Sequence, residues 1–415
     1  MTPPRDADAN ANRRSFLKAT TGAAGLGLAA FGAPAAIARG ANDTLNIGLI
    51  GVGGRCRGLM QALAKVPGVR LAAVCDIYDP HLDFARKNAD PKAFATKAYK
   101  ELLDRQDVDA VLIATPDHWH VPMTVDACDA GKDVYVEKPL THNLAEGAAV
   151  IEAQDKHSKI VQVGTQQRSM PQFQQARELL RAGRIGVVHK VHLTWNRNHD
   201  RVRKGASNID PKQVDWKAFL GNAPDQPFDG YRLIGNWRWF WDFGGGLFTD
   251  LMVHFIDVAH WFLDLDHPAT ATSIGTQITS KGVWETPDTV QTLLTYPDAD
   301  DLQVYFEGTF SNARNGAMLE FMGTDGTLYL DRGRYEIHPE RGRGKAEDMI
   351  LGTGNRGADF YDKPDGELLH LTNWIECVRS RKKPACSAEA GVSAASAAHL
   401  ANLALRSGQV ARWKA

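Results

Sequence analysis

The sequence predicts an α/β chain: an N-terminal doubly wound parallel sheet, then a C-terminal α+β domain on a large, mostly antiparallel sheet. Three observations carry this expectation. Between Thr44 and Pro139, short apolar runs alternate with amphipathic stretches, the strand-then-helix order that builds parallel sheets. From Val187 onward, strand-like segments mostly follow one another directly, as in an antiparallel sheet with one face covered by helices. A composition of 43% hydrophobic and 23% charged residues over 415 positions supplies core enough for two or three domains.

The first 38 residues differ in character. Arg13 and Arg14 precede Phe16-Leu17-Lys18, an Ala/Gly/Leu stretch runs from Thr21 to Ala36, and the segment closes on Ala36-Ile37-Ala38. This resembles a twin-arginine export signal cleaved after Ala38, which implies a periplasmic or secreted protein that crosses the membrane already folded. The alternative is an N-terminally membrane-anchored protein. The apolar stretch is short, glycine-rich and interrupted by Pro34, so no membrane span is expected in the mature chain. The expected organisation is a signal over residues 1–38, a nucleotide-binding domain over 39–165 and a substrate and oligomerisation domain over 166–415.

Leu45 to Ile50 forms a buried-strand pattern, and Gly51, Gly53 and Gly54 follow as a tight turn with Arg55 beside them. An amphipathic helix is expected from about Arg57 to Lys65, and a second strand, Arg70 to Cys75, ends in Asp76. Each part has a physical task. The glycines let the backbone approach a pyrophosphate, the helix start offers unpaired N–H donors, and the carboxylate reaches the ribose hydroxyls. Strand, turn, helix, strand and acid in this order predict a Rossmann dinucleotide site. Asp76 would repel a 2′-phosphate, which favours NAD over NADP. Cys56 stands where the fingerprint has its third glycine, so a wider helix-to-strand gap is expected there. The alternation continues with a helix from Pro80 to Asn88, one from Lys100 to Arg105, a strand from Asp109 to Pro116, a helix from His120 to Ala130 and a strand from Asp133 to Pro139. Thr115, Pro116, Asp117, Glu137 and Lys138 thereby fall at strand ends, where ligands of such sheets sit. His120 and Gln166 are expected to line the same side.

Glu137-Lys138-Pro139, with "ATPDHWH" one strand earlier and "GGGLFTDLMVHFID" later, resembles the Gfo/Idh/MocA family of sugar and polyol oxidoreductases, over roughly Leu45 to Trp413. The resemblance implies that Lys138 lies beside the nicotinamide and hydrogen-bonds the reacting hydroxyl, that Pro139 is often cis, and that Asp250 and His254 are the catalytic pair of the second motif. It also implies a homodimer or homotetramer.

On a helix from about Phe248 to Phe262, Asp250, His254 and Asp257 recur at spacings of four and three, which places them on one face. His254 suits a general base that takes the hydroxyl proton, oriented by Asp250, with Lys138 stabilising the alkoxide. Asp257 is assigned to substrate positioning or helix support. Of the aromatics just before the glycines, Trp239 and Trp241 are the candidates for stacking on a sugar face, the others for core. His118 and His120 have the spacing of a metal pair, but no further ligand cluster follows, and no metal is expected.

The remaining chain is expected to hold strands at Val187–Trp195, Ala271–Ser280, Thr289–Tyr296, Gln303–Phe310, Ala317–Met322 and Thr327–Leu330. Two long polar segments, Asn196–Asn236 and Pro339–Pro364, separate elements, and the alanine-rich C-terminus reads as a packing helix. Lys plus Arg is 48 and Asp plus Glu is 49, which offers nucleic acid or an anionic membrane no electrostatic handle. The five cysteines form no C-x-x-C pair and read as buried thiols. The expected activity is NAD-dependent hydride transfer at a secondary hydroxyl of a sugar, glycoside or cyclitol, with the cofactor held tightly. Two rivals are an NAD-dependent redox glycosidase, working by oxidation, elimination and re-reduction, and a non-catalytic sugar or nucleotide sensor.

Overall fold

The computed structural model describes residues 44–198, 208–342, 344–352, 355–357 and 364–414. The twin-arginine segment and parts of both long polar segments lie outside the described residues. Six strands form the first sheet: β1 (Leu45–Ile50), β2 (Val69–Cys75), β3 (Phe94–Thr96), β4 (Ala110–Ile113), β5 (Asp133–Val136) and β6 (Val161–Val163). Their order is β3-β2-β1-β4-β5-β6, all parallel. The chain runs outward one way from β1 and then, through β4, the other way, so the crevice between the carboxyl ends of β1 and β4 is the switch point where such sheets bind ligands. The central strands are apolar throughout because both faces are covered, with Ile47, Leu49, Val111 and Leu112 inaccessible to solvent. Strands β3 and β6, three residues each, are too short to carry a period and are not expected from the sequence.

The second sheet has nine strands: β7 (Val188–Asn196), β8 (Thr270–Thr276), β9 (Thr289–Tyr296), β10 (Leu302–Thr309), β11 (Ala317–Gly323), β12 (Gly326–Asp331), β13 (Arg334–Pro339), β14 (Glu347–Ile350) and β15 (Ala411–Arg412). The order is β14-β13-β12-β11-β7-β10-β9-β8-β15. Every pairing is antiparallel except β7 with β10. Period-two burial along β9 and β10 turns Val290, Leu294, Val304 and Phe306 to one face. That face packs on the helices Val253–Leu263 and Ala388–Ser407, whose Phe255, Ile256, Phe262, Ala397 and Leu400 share one apolar core with it. The expected strand Ala271–Ser280 stops at Thr276.

A 15-residue helix, Gly366–Ser380, follows the second long polar segment and returns to the first sheet. Its Leu371, Trp374, Ile375 and Val378 pack with Leu45, Ile47, Leu59 and Leu63 beneath the parallel sheet. All five cysteines are free and buried. Cys56 faces this core, where burial pushes its thiol up. Among the described residues, no helix is long and apolar enough to cross a membrane.

Candidate active site

A cavity of about 1230 Å³ runs along the carboxyl ends of β1, β2, β4 and β5 and continues to the start of the helix Val253–Leu263. Its first end is built from backbone. Gly51 adopts a φ of +81°, and a Cβ there would lie 2.9 Å from Thr115 Cγ2 and 3.0 Å from the Ala114 backbone, so no side chain fits between the ends of β1 and β4. At Gly54 a Cβ would meet nothing within 4 Å, and at Gly53 only His81 Cε1 at 3.8 Å, which leaves an open cradle before the first turn of the helix Gly54–Leu63. At the tip of β2, Asp76 accepts the N–H of Val52 at 2.6 Å and that of Tyr78 at 2.9 Å. The carboxylate is thereby held over the glycine turn rather than pointing into solvent. Thr115 Oγ1 and Gln166 Oε1 line the cavity, buried and without a partner among the described residues. An open glycine cradle, an acid at the next strand tip and unsatisfied polar atoms along the strand ends are the donor and acceptor set a dinucleotide requires, and they fit NAD.

The remaining residues expected at this end divide. Pro116, His120, Glu137 and Lys138 line the cavity. The His120 ring turns inward, with Nδ1 2.6 Å from the Pro139 carbonyl and Nε2 3.0 Å from the Thr115 carbonyl, and it braces two strand-end turns. Burial lowers its pKa. Arg55 also lines the cavity, but its guanidinium is engaged by carboxylates: Nε donates to Glu137 Oε1 at 2.8 Å and Nη1 to Glu367. Asp117 does not reach the cavity. It opens the short turn Asp117–Trp119 and is 3% exposed, and burial holds its carboxyl well above the usual range against the pull of Lys138 and Arg238. His118 Nε2 sits 2.9 Å from the Phe219 carbonyl.

The second end is built from side chains. The Lys138-Pro139 bond is cis. Lys138 Nζ donates to the Asp250 carbonyl at 2.7 Å and to Asp250 Oδ1 at 3.0 Å. Arg238 Nε donates to the same Oδ1 at 3.0 Å. Asp250 therefore holds Lys138 and Arg238. Among the described residues no hydrogen bond is seen between Asp250 and His254; the Asp250 charge raises the imidazole pKa against the larger effect of burial. His254 lies 5.3 Å from the Trp195 ring, its Nδ1 buried and without a partner among the described residues. Burial first, then the charges of Lys138 and Arg332, lower its pKa well below the ordinary imidazole value. It is neutral at pH 7 and able to accept a proton.

The helix expected from Phe248 begins as one wide π turn, Phe248–Met252, before the regular helix Val253–Leu263. Such turns widen the backbone and recur at functional sites. Asp250 and His254 both line the cavity, but Asp257 does not. The wide turn changes the angle between Asp250 and the regular helix, and Asp257, which an unbroken helix would put within about 20° of Asp250, lies in the interior. There it is 0% exposed and bidentate with Arg168, at 2.9 and 2.8 Å. Of its two expected roles, helix support is the one this buried pairing matches. Trp239 lines the cavity while stacking on Trp284 at 4.3 Å. Trp241 does not: its ring lies under the Arg406 guanidinium at 4.9 Å, and its carbonyl accepts from His142.

The sequence reading missed Arg238, Trp195, Arg197, Arg332 and Glu367 on the cavity wall. Arg238 had a visible signal, a lone cation inside an aromatic run. The others come from strand ends and a helix start far away in the chain and carry no local pattern.

The family models for the Gfo/Idh/MocA oxidoreductases match twice: "Oxidoreductase family, NAD-binding Rossmann fold" over residues 45–165, and "Oxidoreductase family, C-terminal alpha/beta domain" over residues 177–412. The scyllo-inositol 2-dehydrogenase (NAD(+)) of Bacillus subtilis is 25% identical over 328 residues, 78% of this chain and 82% of that protein. The alpha-N-acetylgalactosaminidase of Shewanella oneidensis is 33% identical over 125 residues, but these are 28% of this chain and about a quarter of that enzyme, 27%. Among solved structures, levoglucosan dehydrogenase in complex with NADH and levoglucosan superposes with a TM-score of 0.68 at 18% identity, over 89% of this chain and 99% of that one. At that identity the likeness concerns the fold.

Proposed function

The chain belongs to the Gfo/Idh/MocA oxidoreductase family, and from that premise we propose that it oxidises a secondary hydroxyl of a sugar, glycoside or cyclitol with NAD it holds tightly. The observation that carries this reading is Lys138 and neutral His254 facing one cavity whose other end fits a dinucleotide. Held by the Gly51, Gly53 and Gly54 turn and Asp76, NAD would supply the acceptor for the hydride of the carbinol carbon. His254 takes the hydroxyl proton, its lowered pKa keeping it in the accepting form. Lys138, aimed by the Asp250 carbonyl and carboxylate, donates to the oxygen on which charge develops. Asp250 itself is fixed by Arg238, so the lysine is held in one place before substrate arrives. Trp239 offers an apolar wall for the C–H face of a ring.

Export through the twin-arginine route as a dimer or tetramer, cofactor already loaded, belongs to the same proposal. Free NAD is scarce outside the cytoplasm, so such an address requires that the NADH formed pass its hydride, before leaving, to a carbonyl group of the bound substrate or of a second one. A second reading, the redox glycosidase, is favoured by the local match to the Shewanella galactosaminidase. The test is to purify the protein without added cofactor, measure NAD(H) released per chain on denaturation, and assay cyclitols, free sugars and aryl glycosides. Near-stoichiometric NAD(H) with ketone formation supports the oxidoreductase reading. Aglycone release without net NADH replaces it with the glycosidase. An empty protein with no turnover when NAD is supplied overturns both.

A further inference from the structure

We propose that residues 214–221, part of the long polar segment after β7, form a strap over the dinucleotide crevice, and that NAD enters and leaves when the strap lifts from β2. The segment is held on both sides of β1. On one side Val214 pairs with Tyr78 in an isolated antiparallel bridge, and the Asp215 N–H donates to the Ile77 carbonyl at 2.9 Å. Ile77 and Tyr78 directly follow Asp76 at the tip of β2. On the other side the Phe219 carbonyl accepts from Trp119 Nε1 at 3.0 Å and lies 2.9 Å from His118 Nε2, in the turn after β4. Strands β2 and β4 flank β1, so the run from Val214 to Phe219 covers two strand spacings, about 10 Å, across the end of β1. Gly51 and Gly53 of the turn after β1 line the same cavity as Asp215, Ala218 and Phe219 of the segment. The glycine turn is the floor of the crevice there, and the segment is its roof.

The two attachments are unequal. Towards β4, Trp216 and Phe219 stack on each other at 4.8 Å, and Trp216 packs edge-on against Phe228 and donates from Nε1 to the Gln226 carbonyl at 2.9 Å. Phe219 is 4% exposed and packs on Phe243 at 4.9 Å. Gly221 closes this end at a φ of +57°, and a Cβ there would stand 2.4 Å from the Trp119 ring, so the indole fits against bare backbone. Towards β2, the backbone attachment among the described residues is the one hydrogen bond from Asp215 to Ile77, and Asp210, Pro211, Lys212 and Gln213 leading up to it are exposed. The β4 side is a hinge, and the β2 side is a latch.

The landing point of the latch argues for retention over plain packing. A connection needed only to join β7 to the helix Val253–Leu263 could stay on its own sheet, whereas this one crosses to the parallel sheet and lands beside Asp76, the carboxylate that suits the ribose hydroxyls. Long segments of this kind are commonly functional. One backbone hydrogen bond adds little to stability, yet when it closes a crevice it must break before anything beneath it leaves. Lifting the latch opens the crevice on the β2 side while the aromatic hinge stays packed.

The strap rests on the reading that NAD is held in this crevice and needs no substrate, so it is tested without one. Tyr78→Cys with Val214→Cys puts two thiols on bridge partners, whose Cα atoms stand about 4.5 to 5.5 Å apart in antiparallel pairs, a span a disulfide bridges. The five native cysteines are buried, which leaves the new pair to oxidised glutathione. The double variant is loaded with NADH, oxidised, and mixed with excess lactate dehydrogenase and pyruvate, and release is read as loss of NADH fluorescence, with and without dithiothreitol. Release is expected to be at least about tenfold slower with the latch locked, and to recover on reduction. The opposite change is Asp215→Pro, which deletes the latch N–H at a φ of −79° that proline adopts, after Val214 in an extended conformation. Against Asp215→Ala, which loses the same side chain and keeps the N–H, it is expected to release NADH about three- to tenfold faster, the range for one backbone hydrogen bond. Oxidised and reduced rates within about twofold of each other overturn the proposal, and so does Asp215→Pro within about twofold of Asp215→Ala. A double variant that takes up no NADH even when reduced, where the parent also takes up none, overturns the cofactor reading and the strap with it.

Discussion

The two ends of the cavity are made in different ways. The cofactor end is a backbone device: Gly51 at positive φ, an open cradle at Gly53 and Gly54, and an Asp76 carboxylate held by two N–H groups within the same strand-turn-helix unit. The substrate end is a side-chain device. Lys138 comes from the parallel sheet, Asp250 and His254 from the wide turn and helix 112 or more residues later, and Arg238 from the aromatic run. A backbone site is as stable as the turn that makes it. A side-chain site is only as well aligned as the ion pairs that aim it, and this one adds a clamp, Arg168 with Asp257, behind the helix.

That contrast can be broken from either side. The largest effect is expected at the substrate end: Lys138→Ala should lower kcat about a thousandfold, within the usual range for losing a positioned donor, with NAD(H) content per chain unchanged. A parallel loss of NAD would show that the two ends are not separable. Next comes the clamp. Asp257→Ala leaves Arg168 buried and unpaired, at a cost of about 3 to 5 kcal/mol of stability, visible in denaturant unfolding. A stability loss under 1 kcal/mol would deny Asp257 its supporting role. The smallest is Gly51→Ala, which forces a side chain into a left-handed conformation against Ala114 and Thr115 at a cost of about 1 to 3 kcal/mol. It should weaken NAD retention while leaving the turnover of NAD-saturated enzyme within about threefold.

The same contrast decides what could be read in advance. The glycine turn, Asp76 and the strand ends carrying Thr115 and Glu137-Lys138 are spelled out over short stretches, because strand, turn and helix period are local. So is the placement of His254 and Asp250 on one cavity wall. Asp257, for which substrate positioning and helix support were both open, lies off the cavity wall; a plain helical wheel leaves out the wide turn at Phe248–Met252. Trp241 and Asp117 were misread because adjacency in sequence does not decide which neighbour faces a cavity.

By itself, then, the sequence determined the two kinds of sheet, the dinucleotide turn, the preference for NAD and the choice of Lys138 and His254 as residues of one cavity. Each follows from residues close together, where covalent connection limits the geometries to a few. Only the tertiary structure decided the partners: that Asp250 serves Lys138 and Arg238, that Arg168 neutralises Asp257, and that the helix Gly366–Ser380 returns to the first sheet and sets Glu367 against Arg55. The reason is physical. A charge brought out of water is matched by whichever opposite charge packing delivers, and packing is a property of the whole chain.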